Sequence, residues 1–131
     1  MKKLLLFVTT LFLFTGCSLF ESSNEMEKNV DELVYDGSSA FAAGDYKDAV
    51  KAFTDLKDWY PFSKYAILAE LKIADSHFHL EEYDEAILSY EEFEKMHPKN
   101  EAIPYVIYQT GLAGLNNWIQ STGTAPLRKT V

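Results

Sequence analysis

Apolar residues recur at three- and four-residue steps along most of the chain, which is the spacing of one face of an α-helix. The apolar stripes are interrupted at Gly44, near Pro61, after Leu80 and near Pro98. Glycine tolerates the positive φ of a helix C-terminal cap, and proline cannot continue a helix. The pattern therefore predicts no strands and five helices, over about 27–43, 46–60, 63–80, 83–96 and from 103 onward, with Asp45 and Ser63 as candidate N-caps.

The segment from Gly44 to Pro61 returns as Glu81 to Pro98, at a constant offset of 37 residues. The matched pairs are Tyr46 with Tyr83, Asp48 with Glu85, Ala49 with Ala86, Val50 with Ile87 and Pro61 with Pro98. Self-similarity at such a period is typical of stacked helical repeats. A third unit starts as well, because Gly111 lies 37 residues after Ala74, but it supplies only its first helix.

The repeat resembles the tetratricopeptide repeat, a pair of antiparallel helices with small residues where the helices cross closely. Gly37, Ala74, Ala49 and Ala86 occupy those small positions, and bulky aromatic residues should fill the space beside them. We therefore expect an all-α tetratricopeptide-repeat helical solenoid over 30–117, with five helices in two full repeats and a half. Beyond Asn117 no sixth helix is visible, and we expect 118–131 to be an irregular tail.

The N-terminal segment has the organisation of an export signal. Lys2 and Lys3 precede a mostly apolar run from Leu4 to Phe14, which is too short to span a bilayer and fits a signal peptide over 1–16. Cys17 is the only cysteine and follows Leu-Phe-Thr-Gly, which resembles the lipobox of bacterial lipoproteins. The resemblance implies lipidation of Cys17, with 17–29 as a flexible tether; the alternative is a plain secretory signal.

The composition excludes some functions. The formal net charge is −8, and an acidic chain lacks the basic surface that nucleic-acid phosphates require. No catalytic constellation and no phosphate-binding loop is visible, so we expect neither an enzyme nor a bound cofactor or metal. His77 and His79 are two residues apart on a helix, whereas two metal ligands on one face need a spacing of four. Asp75 and His79 have that spacing and could pair locally.

More specific motifs lie beside the repeats. Tyr-Pro-Phe-Ser at 60–63, Met-His-Pro at 96–98 and Ile-Pro-Tyr at 103–105, together with the lipobox, resemble the BamD family. That family comprises lipoprotein subunits of the β-barrel assembly machinery of Gram-negative outer membranes. The resemblance implies a lipid-anchored protein on the periplasmic face of the outer membrane. Its partners would be other assembly subunits and the C-terminal strands of unfolded outer-membrane clients. Family members carry more repeats than this chain shows.

The expected binding surface is the groove lined by the first helix of each repeat. An apolar and aromatic groove with a few carboxylates would suit an extended peptide bearing aromatic side chains. The tetratricopeptide register assigns to this groove the residues Val34, Ser38, Phe41, Leu68, Leu71, Asp75, Phe78, Tyr105 and Tyr108. The alternative for the apolar members is that they only pack between neighbouring repeats.

The leading functional hypothesis is thus a non-catalytic scaffold that binds client peptides or subunits of the barrel-assembly machinery. A second hypothesis is a generic tetratricopeptide lipoprotein adaptor for cell-envelope or division machinery, which would share the repeat without needing the Tyr-Pro-Phe-Ser and Ile-Pro-Tyr motifs. A third is an adaptor that recruits a peptidoglycan enzyme.

Overall fold

The computed structural model describes residues 28–123. They form five helices, and this part of the chain contains no strand. The helices are α1 (Val30–Ala43), α2 (Tyr46–Trp59), α3 (Ala66–His79), α4 (Tyr83–Met96) and α5 (Ile103–Thr122). The predicted all-α fold is confirmed. The predicted signal peptide, Cys17 and most of the tether lie outside the described residues.

A side-chain cap fixes the start of α1. The Oδ1 atom of Asn29 accepts a hydrogen bond from the Glu32 backbone N–H at 3.0 Å, and the Glu32 carboxylate accepts one from the Asn29 N–H at 3.2 Å. This reciprocal capping box satisfies two backbone donors that a helix N-terminus leaves unpaired. The Asn-x-x-Glu spacing before an apolar run is a signal from which the start at Val30 could have been predicted.

The repeat period is reproduced in the backbone itself. Gly44 and Glu81, 37 positions apart, both have left-handed conformations, with φ of 85° and 61°. The next residues make equivalent bonds: the Asp45 N–H donates to Ala40 O at 2.9 Å, and the Glu82 N–H donates to His77 O at 3.0 Å. Both repeats therefore turn through the same C-terminal capping motif. The prediction that Gly44 ends the first helix is confirmed.

The two predicted N-caps have different outcomes. Asp45 occupies the N-cap position of α2, although its side chain makes no capping hydrogen bond. Ser63 is not the N-cap of α3, and that prediction is wrong. α3 begins at Ala66, three residues after Ser63, and the Ser63 hydroxyl is buried without a hydrogen-bond partner among the described residues. The residues before α3 instead form a tight turn, in which the Ala66 N–H donates to Ser63 O at 3.1 Å. Pro61 disfavours helical geometry at the preceding residue and so separates the two helices.

α5 is longer than the sequence pattern predicted. It runs to Thr122 and ends at Gly123, whose φ of 66° provides a left-handed cap. The expectation of irregular structure from residue 118 is therefore wrong for Trp118 to Thr122. Asn116 explains part of the continuation, because its amide donates to Leu112 O at 2.9 Å and remains on the helix instead of breaking it.

Each helix packs on the next one along the chain, as in a solenoid. Two hydrophobic clusters form the core. The first joins α1, α2 and α3 through Leu33, Ala49, Phe53, Leu56, Ala69 and Ile73. The second joins α3, α4 and α5 through Ala74, Ala86, Tyr90, Phe93, Val106 and Ala113.

The small residues of the repeat have the predicted packing role in the first unit. A Cβ atom on Gly37 would lie 2.8 Å from Cε1 of Phe53, so the aromatic ring of α2 lies directly against the α1 backbone. In the second unit Ala74 and Tyr90 occupy the equivalent positions, and both are fully buried in one cluster. The equivalent position in α5 is Gly111. No atom lies within 4 Å of a Cβ built there.

Candidate functional site

The predicted groove lies along α1, α3 and α5, the first helices of the three units. Four of its apolar members are only half-exposed and pack against the core. Val34 and Phe41 contact the first cluster, and Leu71 and Phe78 contact the second. These four side chains therefore contribute to packing within and between repeats, which is the alternative that the sequence left open.

Phe41 and Phe78 have an identical structural task in their two units. The Phe41 ring packs edge-on against Tyr46, with centroids 5.4 Å apart, and Phe78 packs in the same way against Tyr83 at 5.6 Å. Each pair joins the last turn of the first helix to the first residue of the second helix. Such edge-to-face contacts are favourable beyond the burial of apolar area, so both phenylalanines stabilise the hairpin of their repeat.

Asp75 is not the open groove carboxylate that we expected. It is 5% exposed, and its Oδ1 atom accepts hydrogen bonds from the hydroxyls of Tyr90 and Tyr105, both at 2.8 Å. Its Oδ2 atom accepts a bond from Lys72 Nζ at 3.0 Å. The carboxylate thus connects α3 to α4 and α5, and it does not pair with His79. Burial of a charge is tolerated where charge-assisted hydrogen bonds compensate for lost hydration.

The tyrosines that bond Asp75 are held in the neutral form. Burial raises the pKa of Tyr90 well above its ordinary value of 10, and the adjacent Asp75 charge acts in the same direction. Burial and the hydrogen bond to Asp75 raise the pKa of Tyr105 to about 12. Both hydroxyls therefore remain donors to the carboxylate across the physiological pH range.

Lys72 was not identified from the sequence, although it connects two units. Its Nζ atom lies 4.2 Å from the centre of the Phe41 ring and also binds Asp75. A cation placed over a ring face is attracted by the π-electrons. The side chain therefore bridges α1 and α3 across the predicted groove. The signal for it was weak, since a lysine three residues before an aspartate is common on helix surfaces.

The open part of the groove lies on α3 and α5. Leu68, Tyr105 and Tyr108 expose 40%, 42% and 63% of their surfaces, and Ser38 is exposed on α1. Gln109 donates to the Tyr105 hydroxyl at 3.1 Å and orients that ring. We call Leu68, Tyr105 and Tyr108 the α3–α5 face. Leu68 lies seven residues, or about 10 Å along α3, before Asp75, and Asp75 accepts the hydrogen bond of the Tyr105 hydroxyl. The face is therefore elongated along α3.

The histidines have structural surroundings. His77 Nδ1 lies 2.7 Å from a Glu82 carboxylate oxygen, and His97 Nε2 lies 2.6 Å from one of Glu70. His79 stacks on Tyr46, with ring centroids 4.5 Å apart. Within residues 28–123 no three acidic, histidine or cysteine side chains are grouped as a metal site.

A cavity of about 470 Å³ lies away from the predicted groove, between α1 and α2. Its lining mixes Leu33 and Trp59 with Asp36, Asp48 and Lys51. None of the nine predicted groove residues contributes to it.

Of the helices in the described part of the chain, none combines the length and the apolar character that crossing a membrane requires, and this includes the uncharged α5.

The comparison with protein families agrees with the fold and the motifs. The model of the YfiO family, described as an outer membrane lipoprotein, matches residues 26–129. The chain belongs to the YfiO family. The match includes all five helices and both motif-bearing turns, so the resemblance inferred from the sequence is confirmed.

Curated relatives carry the name outer membrane protein assembly factor BamD. That of Neisseria gonorrhoeae is 26% identical over 121 residues, covering 88% of this chain and 45% of the relative. That of Pasteurella multocida strain Pm70 is 23% identical over 124 residues, covering 92% and 46%. That of Xylella fastidiosa strain 9a5c is 29% identical over 119 residues, covering 86% and 39%. The chain spans less than half the length of these relatives.

Proposed function

We propose that the protein is a lipid-anchored periplasmic scaffold of the outer-membrane β-barrel assembly machinery, which binds extended client peptides or partner subunits without catalysis. Membership of the YfiO family and the assembly-factor names of its relatives support the setting. The observation that carries the binding role is the α3–α5 face, because aromatic and aliphatic side chains at groove positions of two repeats are exposed there.

The shape and chemistry of the α3–α5 face favour an extended peptide. An extended chain advances roughly 3.3 Å per residue, so about three residues span the two helical turns between Leu68 and the level of Asp75. Alternate side chains of the peptide would contact the face, and aromatic ones would pack on Tyr105 and Tyr108. Tyr105 is held in place by Asp75 and Gln109, which lowers the entropy lost on binding.

Lipid anchoring through Cys17 completes the proposal and places the repeats beside the outer membrane. Stable anchoring takes more than one lipid chain, and bacterial lipoproteins carry several. Mass spectrometry of the protein isolated from the bacterial membrane should find an acylated Cys17 as the first residue. An unmodified N-terminus elsewhere in the chain would refute the anchor while leaving the binding role open.

The binding role is tested by fluorescence anisotropy with a labelled synthetic peptide that has aromatic side chains at alternate positions. Tyr108→Ala should weaken binding about tenfold, because exposed aromatic anchors dominate such contacts. Leu88→Ala is the matched control, since Leu88 is 67% exposed on α4, away from the proposed face. A second peptide with serine in place of the aromatic residues should bind weakly.

Equal losses for Tyr108→Ala and Leu88→Ala would contradict a site on the α3–α5 face. Unchanged binding by Tyr108→Ala and Leu68→Ala together would contradict it as well. Far-ultraviolet circular dichroism of each variant shows that binding is lost without loss of the fold, which is expected because both side chains are largely exposed.

A further inference from the structure

The helices alternate in direction, because short connections join neighbours that pack on each other, and the connections therefore lie at two ends of the solenoid. The connections between repeats and their flanking residues lie at one end, which we call the inter-repeat end and define as 57–64 and 95–101. The turns within the repeats, 44–48 and 81–85, lie at the opposite end, which we call the hairpin end. The two ends differ in exposed apolar surface and in charge.

Large apolar side chains are exposed at the inter-repeat end. Trp59 and Met96, which occupy equivalent positions 37 residues apart, expose 39% and 61% of their surfaces. Phe62 is fully exposed, so its ring forgoes the favourable burial that a phenylalanine side chain usually obtains. Each of the three adjoins a connection between two helices that are both described, so their exposure does not reflect a missing repeat.

An ordered turn presents Phe62 to the solvent. The Ser63 N–H donates to Tyr60 O at 2.9 Å, and the Ala66 N–H donates to Ser63 O at 3.1 Å. Pro61 also fixes its own φ immediately before the ring. Because the backbone on both sides of Phe62 is already ordered, little conformational entropy would be lost when the ring enters an apolar surface.

Charge distinguishes the two ends as well. The inter-repeat end has four lysines and two acidic residues, and thus a formal charge of +2: Lys57, Lys64, Lys95, Lys99, Asp58 and Glu101. The hairpin end has one lysine and six acidic residues, and thus a formal charge of −5. An anionic surface therefore attracts the inter-repeat end and repels the hairpin end.

The described part of the chain begins at the inter-repeat end. The Tyr60 hydroxyl donates to the Lys28 carbonyl at 3.1 Å, beside the connection that carries Phe62. Cys17 precedes Lys28 by eleven residues, which span at most about 36–40 Å when extended. A lipid on Cys17 would therefore keep the inter-repeat end within reach of a bilayer. This step rests on the proposed lipid anchor, whereas the chemistry of the two ends does not.

We propose that the inter-repeat end docks on the phospholipid bilayer, where Trp59, Phe62 and Met96 enter the headgroup boundary. Aromatic side chains are favoured at that boundary, and lysines beside them attract the phosphates of anionic lipids. The hairpin end then points away from the bilayer. Leu68 and Tyr105 are each the third residue of their helix, so docking also holds the α3–α5 face close to the membrane.

Quenching of tryptophan fluorescence by brominated lipids tests the orientation, because the chain has two tryptophans. Trp59 lies at the inter-repeat end, whereas Trp118 lies 15 residues after Ile103, or about 22 Å along α5. The protein isolated from the bacterial membrane is reconstituted into vesicles of phosphatidylethanolamine and phosphatidylglycerol that are brominated near the headgroups.

Trp118→Phe leaves Trp59 as the only reporter, and its emission should fall about twofold because docked side chains enter the boundary by about 5–10 Å. Trp59→Phe leaves Trp118, whose emission should be unchanged. Both variants carry the same N-terminus, so the difference between them reports orientation and not anchoring. Equal quenching of the two reporters, stronger quenching of Trp118, or no quenching of Trp59 would overturn the proposal.

Phe62→Ser should reduce the quenching of Trp59 at least about twofold, since it removes the ring that enters the boundary most readily. Leu88→Ser, at a residue that is 67% exposed on α4, is the matched control and should leave the quenching unchanged. Circular dichroism of each variant shows that the fold is retained. Quenching that Phe62→Ser does not alter would contradict docking through this end.

Charge reversal tests the lysines. Lys64→Glu combined with Lys99→Glu should also weaken the quenching of Trp59, whereas Lys47→Glu combined with Lys51→Glu makes the same change in net charge near the hairpin end and should not. Equal effects of the two pairs would overturn the proposal, as would a photo-reactive residue in place of Phe62 that cross-links in cells to a polypeptide and not to lipid. If Cys17 carries no lipid, the vesicles are added to the protein instead, so that failure of the anchor and failure of docking are distinguished.

Discussion

The first and third repeat units show the same structural position in two states. Gly37 of α1 lies against the Phe53 ring, whereas a Cβ atom built on Gly111 of α5 would have no packing neighbour within 4 Å. Both glycines were placed in the repeat by the same 37-residue period. The difference shows that a shared register position does not fix how tightly that position is packed, which depends on what lies opposite it. The same residue type is therefore under steric constraint in one unit and unconstrained in the other.

The aromatic side chains of the two units give the largest expected contrast. Phe53→Ala removes a fully buried ring and should lower the free energy of unfolding by about 3–5 kcal/mol. Trp118→Ala, at a residue that is 58% exposed, should change it by less than about 0.5 kcal/mol. Urea unfolding at low protein concentration measures both. Similar losses for the two variants would mean that α5 is covered within one chain.

The two glycines give an intermediate effect of opposite sign. Gly37→Ala should destabilise the fold by about 1–3 kcal/mol, because its Cβ would lie 2.8 Å from a buried ring atom that cannot easily move. Gly111→Ala should stabilise it by about 1 kcal/mol, since alanine is the better helix former and the site is open. Thermal unfolding compares the two substitutions directly, and a shift of the same sign in both would refute the contrast between a packed and an open position.

The smallest effect concerns the polar contact through which α5 is attached to α3. The pKa of Tyr105 is raised to about 12, above its unfolded value of 10. Its contribution to stability is therefore complete below pH 10 and is lost as the pH rises toward 12, because the unfolded chain releases the proton first. The pKa of Tyr90 is raised as well, so it acts in the same direction.

Urea titrations at several pH values above about 9 should show this decline in the wild-type protein. Tyr105→Phe should reduce the decline, since the variant has no proton to lose at this position while Tyr90 still titrates. Tyr35→Phe replaces a tyrosine that is 72% exposed on α1 and is the matched control, so it should leave the decline intact. A decline that Tyr105→Phe does not alter would argue against the contribution of this hydroxyl.

The architecture could be predicted because it depends on local spacing. The three- and four-residue steps gave five helices, and Gly44 and the two prolines marked their boundaries closely. α5 was predicted too short, because Asn116 and Asn117 are poor helix formers in isolation. The amide of Asn117 donates to a carboxylate oxygen of Asp84 on α4 at 2.6 Å, a tertiary contact that the local sequence does not reveal.

The candidate site was harder to predict, because groove membership depends on what lies opposite each residue. The register assigned Leu68, Tyr105 and Tyr108 to the groove, and each of these side chains is exposed. It could not show that Asp75 would be buried, since the two hydroxyls that bind it lie 15 and 30 residues further along the chain. A carboxylate at a groove position looks the same in sequence whether it is solvated or bonded.

The packing of each helix mainly on its neighbour in sequence has a consequence for how the chain folds. Contacts between residues close in sequence need only short loops to close, and proteins dominated by such contacts fold on the order of microseconds to milliseconds. Folding can start in either core cluster and spread to the other through α3, which contributes to both. One repeat can therefore acquire its structure before the remainder of the chain has folded.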